Sequence, residues 1–250
     1  MKQIFILIIT LFTLFACGRQ KVDPGWTAEE YYTYAKEKYD NEDYLGAQLD
    51  FDVVVLRYGG SIFADSAQYF LGMCHYYMDE FLISAVEFRK LITDRSQSPL
   101  VVDAQYMLAE SYYKMSPRPS LDQEYTLKAL KEYQIFLEDY PFDKKKEEAE
   151  KKIFELRNKL AKKSLQNAEL YRKMGNLKSS LIYYDIVLES YYDSDWADDA
   201  LYGKAVVYIN MEELLKAKEE LQLFKEKFPG SDIMHKVDEK LLDVLAKEQD

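Results

Sequence analysis

Residues that stop helices are scarce in this chain, and so are the histidines and cysteines that hold transition metals. Nine glycines and six prolines across 250 residues leave few enforced breaks. Two histidines exist, His75 and His235, and neither belongs to a ligand cluster. Cys74 adjoins His75, but neighbours on a helix point apart, so no metal site is expected. No G-x-S-x-G, phosphate loop or glycine-rich fingerprint occurs, and the acidic pair Asp198-Asp199 diverges around a helix. The sequence therefore predicts no catalytic residue, no cofactor and no enzymatic activity. Positive charge is in deficit: 33 Lys and Arg stand against 44 Asp and Glu, a net charge of −11. Such a chain is a poor partner for nucleic acid or anionic headgroups. Beyond the first sixteen residues no apolar run exceeds about eight residues, far short of the roughly 20 that a spanning helix needs. What remains is rich in charge, at 31%, and in tyrosine, with 22 copies. Few breakers and many charges predict an all-α chain.

The N-terminus follows a different pattern. Lys2 gives a positive start, Ile4 to Phe15 are apolar apart from two threonines, and Ala16-Cys17 follows. A charged start, a short apolar centre and a small residue at the cut make a secretory signal. Leu14-Phe15-Ala16-Cys17 resembles a bacterial lipobox, in which the cysteine is acylated and becomes the first mature residue. Residues 1–16 are read as a lipoprotein signal peptide, Cys17 as the palmitate-bearing attachment site, and 17–27 as a flexible tether. Processing leaves 234 residues with a charge of −12, because Lys2 is lost. With Cys17 acylated, Cys74 has no disulfide partner. Gly18-Arg19-Gln20 lacks the early acidic residue that resembles an inner-membrane retention or surface-export signal. A lipid anchor on the periplasmic side of the cell outer membrane is therefore expected.

Five segments share one spacing of small residues. A small residue is followed twelve positions later by another, and four further on usually by an aromatic. The sets are Ala35, Ala47, Phe51; Gly72, Ser84, Phe88; Ala109, Ala129, Tyr133; Ala168, Ser180, Tyr184; and Ala205, Ala217, Leu221. Only the third departs, with twenty residues between its small pair. Small residues let two antiparallel helices cross closely, and the aromatic fills the space beside them. The pattern resembles the tetratricopeptide repeat. It predicts a solenoid of about five helix pairs over 28–250, with repeats near 28–61, 65–98, 102–143, 147–194 and 198–231, then a C-terminal helix. Tight turns are expected at 40–43, 78–80, 173–176 and 210–213.

Two places break the rhythm. "KMSPRPSLDQEYT", residues 114–126, predicts a loop eight residues longer than its equivalents, because Pro117 and Pro119 cannot continue a helix. From Glu147 to Arg172 there is no Gly or Pro, so one long helix is expected. Its basic residues Lys151, Lys152, Arg157 and Lys159 are candidates for docking an acidic partner. Solvated pairs such as Glu148–Lys152 and Glu155–Lys159 are the alternative.

Tyrosines also recur in register. Tyr32, Tyr69, Tyr106 and Tyr202 stand three before the first small residue, and Tyr39, Tyr76 and Tyr113 four after it. In the first three repeats the two rows lie two turns apart on one helix face. They are read as a candidate groove for extended peptides, with simple packing as the alternative.

"SPRPSLDQEYTLKALKEYQIFLEDYP" (116–141) and "LRNKLAKKSLQNAELYRKMGN" (156–176) carry a more specific likeness. Together with the lipobox and the repeats, they resemble the BamD family, tetratricopeptide lipoproteins of the outer-membrane β-barrel assembly machinery. "RYGGS" at 57–61 departs from that family's Arg-Tyr-Pro and is expected to weaken one corner. The resemblance implies a non-enzymatic scaffold promoting the insertion of outer-membrane proteins. Its N-terminal repeats would receive unfolded outer-membrane protein clients. Its C-terminal repeats would dock on the periplasmic domains of the central barrel subunit, beside other assembly lipoproteins. A periplasmic repeat lipoprotein scaffolding cell-wall synthesis or envelope constriction is the alternative.

Overall fold

The computed structural model describes residues 25–247; the signal peptide, Cys17 and most of the tether lie outside them. Among the described residues, ten helices form five antiparallel pairs: α1 (Ala28–Asp40) with α2 (Tyr44–Arg57), α3 (Ala64–Tyr77) with α4 (Phe81–Asp94), α5 (Val101–Met115) with α6 (Glu124–Asp139), α7 (Lys146–Lys173) with α8 (Leu177–Ser190), and α9 (Ala197–Asn210) with α10 (Leu214–Lys227). An eleventh, α11 (Met234–Lys247), packs on α10 and closes the array. Each helix packs on the next in chain order, the arrangement of a tetratricopeptide solenoid.

Local chemistry sets the ends. Thr27 and Glu30 form a capping box at α1, with Thr27 N donating to Glu30 Oε2 at 2.7 Å. Asp43 caps α2 and Asn176 caps α8 through backbone N–H groups at 3.0 and 3.3 Å. The first helix of four pairs ends the same way. A left-handed residue (Glu42, Asp79, Gly175 or Glu212) is followed by an N–H that returns five residues: Asp43 to Lys38, Glu80 to His75, Asn176 to Tyr171 and Glu213 to Tyr208, at 2.9–3.0 Å. The corners between pairs also repeat. Ser61 N donates to Tyr58 O at 2.8 Å, and Ser98, Asp143, Ser194 and Ser231 make the equivalent bond at 2.8–3.1 Å. Gly59 therefore leaves its corner intact, and its carbonyl also accepts from Arg95 Nη2 at 3.1 Å.

Every residue of the five small-residue sets is buried. Gly72 shows why a side chain is missing: a Cβ there would lie 2.8 Å from the Phe88 ring. Ser180 keeps its hydroxyl satisfied by donating to Ala168 O at 2.8 Å, across the crossing it helps to form. Cys74 is fully buried as a small apolar residue, and burial pushes its thiol up to about 12. Gly203, which no repeat position singled out, makes a closer approach than Gly72: a Cβ would stand 2.5 Å from the buried Tyr184 ring. Alanine is the better helix former, yet Gly203→Ala is expected to destabilise the chain by about 1–3 kcal/mol through overpacking. Urea denaturation measures it.

The two breaks in rhythm divide differently from expectation. The loop between α5 and α6 covers 116–123. It is thus only part of the insertion, because α5 and α6 have lengthened to 15 and 16 residues, against 14 in each helix of pair two. The α7 helix runs 28 residues, about 42 Å at 1.5 Å per residue. Its first half, through Ala149 and Leu156, belongs to the core of pair three, and its second, through Ala161 and Ala168, to that of pair four. One continuous helix therefore joins the two halves of the array. At the other end, the last residues of the expected tether are packed. Trp26 meets Tyr31 and Tyr34 edge-on at 5.5 and 5.2 Å, and its carbonyl accepts from Tyr58 OH at 2.6 Å.

Candidate functional site

The tyrosine rows lie on the first helices of pairs one to three. In each pair the first-row ring rests on the aromatic of the facing helix: Tyr32 on Phe51 at 5.9 Å, Tyr69 on Phe88 at 5.6 Å, Tyr106 on Tyr133 at 5.8 Å. The second row reaches the first helix of the following pair. Tyr39 meets Phe70 at 5.0 Å, Tyr76 OH donates to Glu110 Oε2 at 3.4 Å, and Tyr113 OH to Glu155 Oε2 at 2.5 Å. The rows thus form one connected wall across α1, α3, α5 and the start of α7.

Exposure divides the members. Tyr32, Tyr39, Tyr69, Tyr76 and Tyr113 are half-buried, whereas Tyr106 is 4% exposed and belongs to the core. Burial pushes Tyr69 up to about 12, and burial with the Glu155 carboxylate does the same for Tyr113. Tyr39, Tyr76 and Tyr106 are also raised, burial first. All five hydroxyls therefore stay protonated and remain donors. A lysine lies over each second-row ring: Lys36 over Tyr39 at 5.1 Å, Lys114 over Tyr76 at 6.0 Å and Lys152 over Tyr113 at 3.9 Å. Lys36 and Lys114 hold different repeat positions, so periodicity gave no sign of them. The wall offers apolar rings with the ammonium groups of Lys114 and Lys152 beside them, while Lys36 is paired with Asp40.

The basic stretch of α7 behaves differently from a free patch. Arg157 grips Asp193 through Nη2 at 2.5 Å and Nε at 3.1 Å, and donates to Ser190 O at 2.9 Å. That hydrogen bond holds the Asp193 carboxyl below the usual carboxylate range. Lys159 Nζ donates to Ser116 Oγ at 2.6 Å, and burial lowers its pKa. Lys163 Nζ donates to Leu121 O at 2.5 Å. Lys152 covers Tyr113, and Lys151 is exposed. Neither Glu148–Lys152 nor Glu155–Lys159 is among the ion pairs of the described residues: Glu155 is taken by Tyr113, and Lys159 by Ser116.

The 116–123 loop and α7 are therefore one unit. Gln123, only 5% exposed, holds the loop from inside. Its Nε2 donates to the carbonyls of Arg118 and Leu121, each at 3.0 Å, and its Oε1 accepts from Thr126 Oγ1 at 2.7 Å. Gln123→Ala would remove these three hydrogen bonds at a buried position and is expected to destabilise the chain by about 1–3 kcal/mol. Ser120→Ala, on the exposed face of the same loop, should change stability within about 0.5 kcal/mol. Urea titration of the two variants makes the comparison.

No curated protein matches the chain. Among solved structures, a TPR-repeat protein from Bacteroides fragilis is 13% identical, covering 88% of this chain and 99% of its own with a TM-score of 0.48. A tetratricopeptide repeat protein from Parabacteroides merdae is 14% identical, over 88% of this chain and 74% of its own, with a TM-score of 0.39. The TPR2AB domain of yeast Sti1, solved in complex with pHSP90, is 11% identical, over 87% and 98%, with a TM-score of 0.40. The profile of one family, YfiO, outer membrane lipoprotein, matches residues 24–223, which takes in all five helix pairs but for the last turn of α10. This chain belongs to the YfiO family of outer membrane lipoproteins.

Proposed function

We propose that this protein is a non-enzymatic subunit of the machinery that inserts β-barrel proteins into the outer membrane. Residues 1–16 are removed, Cys17 carries the acyl anchor, and the solenoid stands on the periplasmic side. The half-buried tyrosines of pairs one to three receive an extended, unfolded client strand, and Lys114 and Lys152 suit its carboxylates. The second half of the array docks on the periplasmic domains of the central barrel subunit. Lys151 and the outward side of Lys152 are the members of the basic stretch left to face a partner, since Arg157 and Lys159 are held within the chain.

The observation that carries this reading is the family match over 24–223, which includes the loop that α7 clasps. Co-purification from detergent-solubilised membranes tests it. A large outer-membrane barrel protein should accompany the chain. Cell-wall synthases in its place would overturn the reading in favour of a scaffold for envelope growth.

A further inference from the structure

A second recurrence lies on the outward side of the paired helices and uses none of the tyrosines. Two residues before the second small residue stand Leu45, Leu82, Leu127 and Leu215, all exposed, with Leu45 at 62% and Leu82 at 48%. The exposed stripe continues along α2 at Leu49 and along α4 at Val86. Single exposed leucines are ordinary, but the same exposed leucine at one repeat position in four pairs of five is not. The first two turns border one another: Tyr44, at the start of α2, stacks on Tyr77, at the end of α3, with ring centroids 4.8 Å apart.

The turns beside these leucines add a second observation. Glu42, Asp79 and Glu212 hold φ of 62°, 60° and 62°, a region that strains a side chain and favours glycine. All three are acidic and exposed, and none of the three is in an ion pair among the described residues. Pair four is the contrast. There the same turn position is Gly175, with φ of 75°, and the leucine position is Lys178. Strained acid and exposed leucine thus occur together in pairs one, two and five and are missing together from pair four, while pair three, whose longer loop has no such turn, keeps Leu127 alone. Capping accounts for the acid that follows in the turn, such as Asp43, but not for the one placed in the strained position.

We propose that the edge made by the first two of these turns and the starts of α2 and α4 binds a cationic amphipathic helix of a partner protein. Leu45, Leu49 and Leu82 take its aliphatic stripe, and Glu42 and Asp79 meet its lysines or arginines. The acidic rim selects against an anionic bilayer. A helix fits better than a strand, because the edge consists of helix starts and offers no open row of backbone groups for a strand to pair with.

The test uses the full chain in phosphatidylcholine nanodiscs, with empty nanodiscs as the control. The probe is a labelled helix of leucine and lysine of about four turns, compared with the same helix carrying glutamate for lysine. The lysine helix should bind at least about tenfold more tightly than the glutamate helix. Leu45→Ser with Leu82→Ser should weaken the lysine helix by about tenfold or more, and Glu42→Gln with Asp79→Asn should remove the preference and its salt dependence. Thermal midpoints should hold, because all four side chains are exposed. Equal binding of the two helices, indifference to the substitutions, or binding no better than to empty nanodiscs would overturn the proposal. So would self-association that the leucine substitutions abolish, which would make a second copy the occupant.

Discussion

Phe88→Ala is expected to lower the stability of the chain by about 3–5 kcal/mol. The ring is fully buried, with Gly72 against one face and Tyr69 at 5.6 Å. Gly72 has no side chain to move into the space, so the cavity would persist at the crossing of α3 and α4. In a solenoid each pair is stabilised by its neighbours, so a defect in pair two also loosens pair one. Urea unfolding followed by circular dichroism should show the lost midpoint. Val86→Ala lies two residues away on the same helix but faces outward, and should change stability within about 0.5 kcal/mol. Equal shifts for the two would contradict the repeat register.

Tyr106 gives the second large effect, in a form that separates ring from hydroxyl. The side chain sits among Tyr133, Phe136 and the Lys145 ammonium, at 5.8, 5.4 and 4.6 Å from its ring. Its buried hydroxyl lacks a well-formed hydrogen bond; the Glu148 carboxylate is a neighbour that raises its pKa, after burial. Tyr106→Ala should therefore destabilise the chain by about 3–5 kcal/mol. Tyr106→Phe should leave stability unchanged or raise it by up to about 1 kcal/mol, since it removes an unsatisfied polar group. Differential scanning calorimetry distinguishes them. A large loss in the phenylalanine variant would show that the hydroxyl is held by a bond the static geometry lacks.

The repeat architecture was legible because its cause is local and periodic. Two helices that cross closely need small residues at fixed spacing, and Ala35 and Ala47, or Ala205 and Ala217, carry that need in plain sight. The long α7 could be read from the absence of Gly and Pro. Less could be read where the determinant is a long-range contact. Lys159 and Lys163 read as a basic surface, yet they bind loop atoms about forty residues earlier in the chain. Arg157 likewise finds Asp193 across the α8 corner. No spacing rule links such pairs. Gly203 did carry a signal, a glycine inside a helix, but the ring it admits comes from another repeat. Tyr106 shares its register with Tyr32 and Tyr69 and differs only in burial, set by the neighbours of pair three. Periodicity placed the row on one face, and only packing separates its exposed members from its buried one.

The most direct test of the client-binding wall is titration of a labelled C-terminal β-strand peptide from an outer-membrane protein, with helical content followed alongside. Tyr32 and Tyr69 are the informative positions, because both are half-buried and, among the described residues, their rings rather than their hydroxyls make the contacts to other helices. Tyr32→Ala or Tyr69→Ala should weaken the peptide by about tenfold or more while the circular dichroism spectrum holds. Unchanged affinity in both variants would contradict the account, and so would a loss of affinity that merely follows a loss of helix.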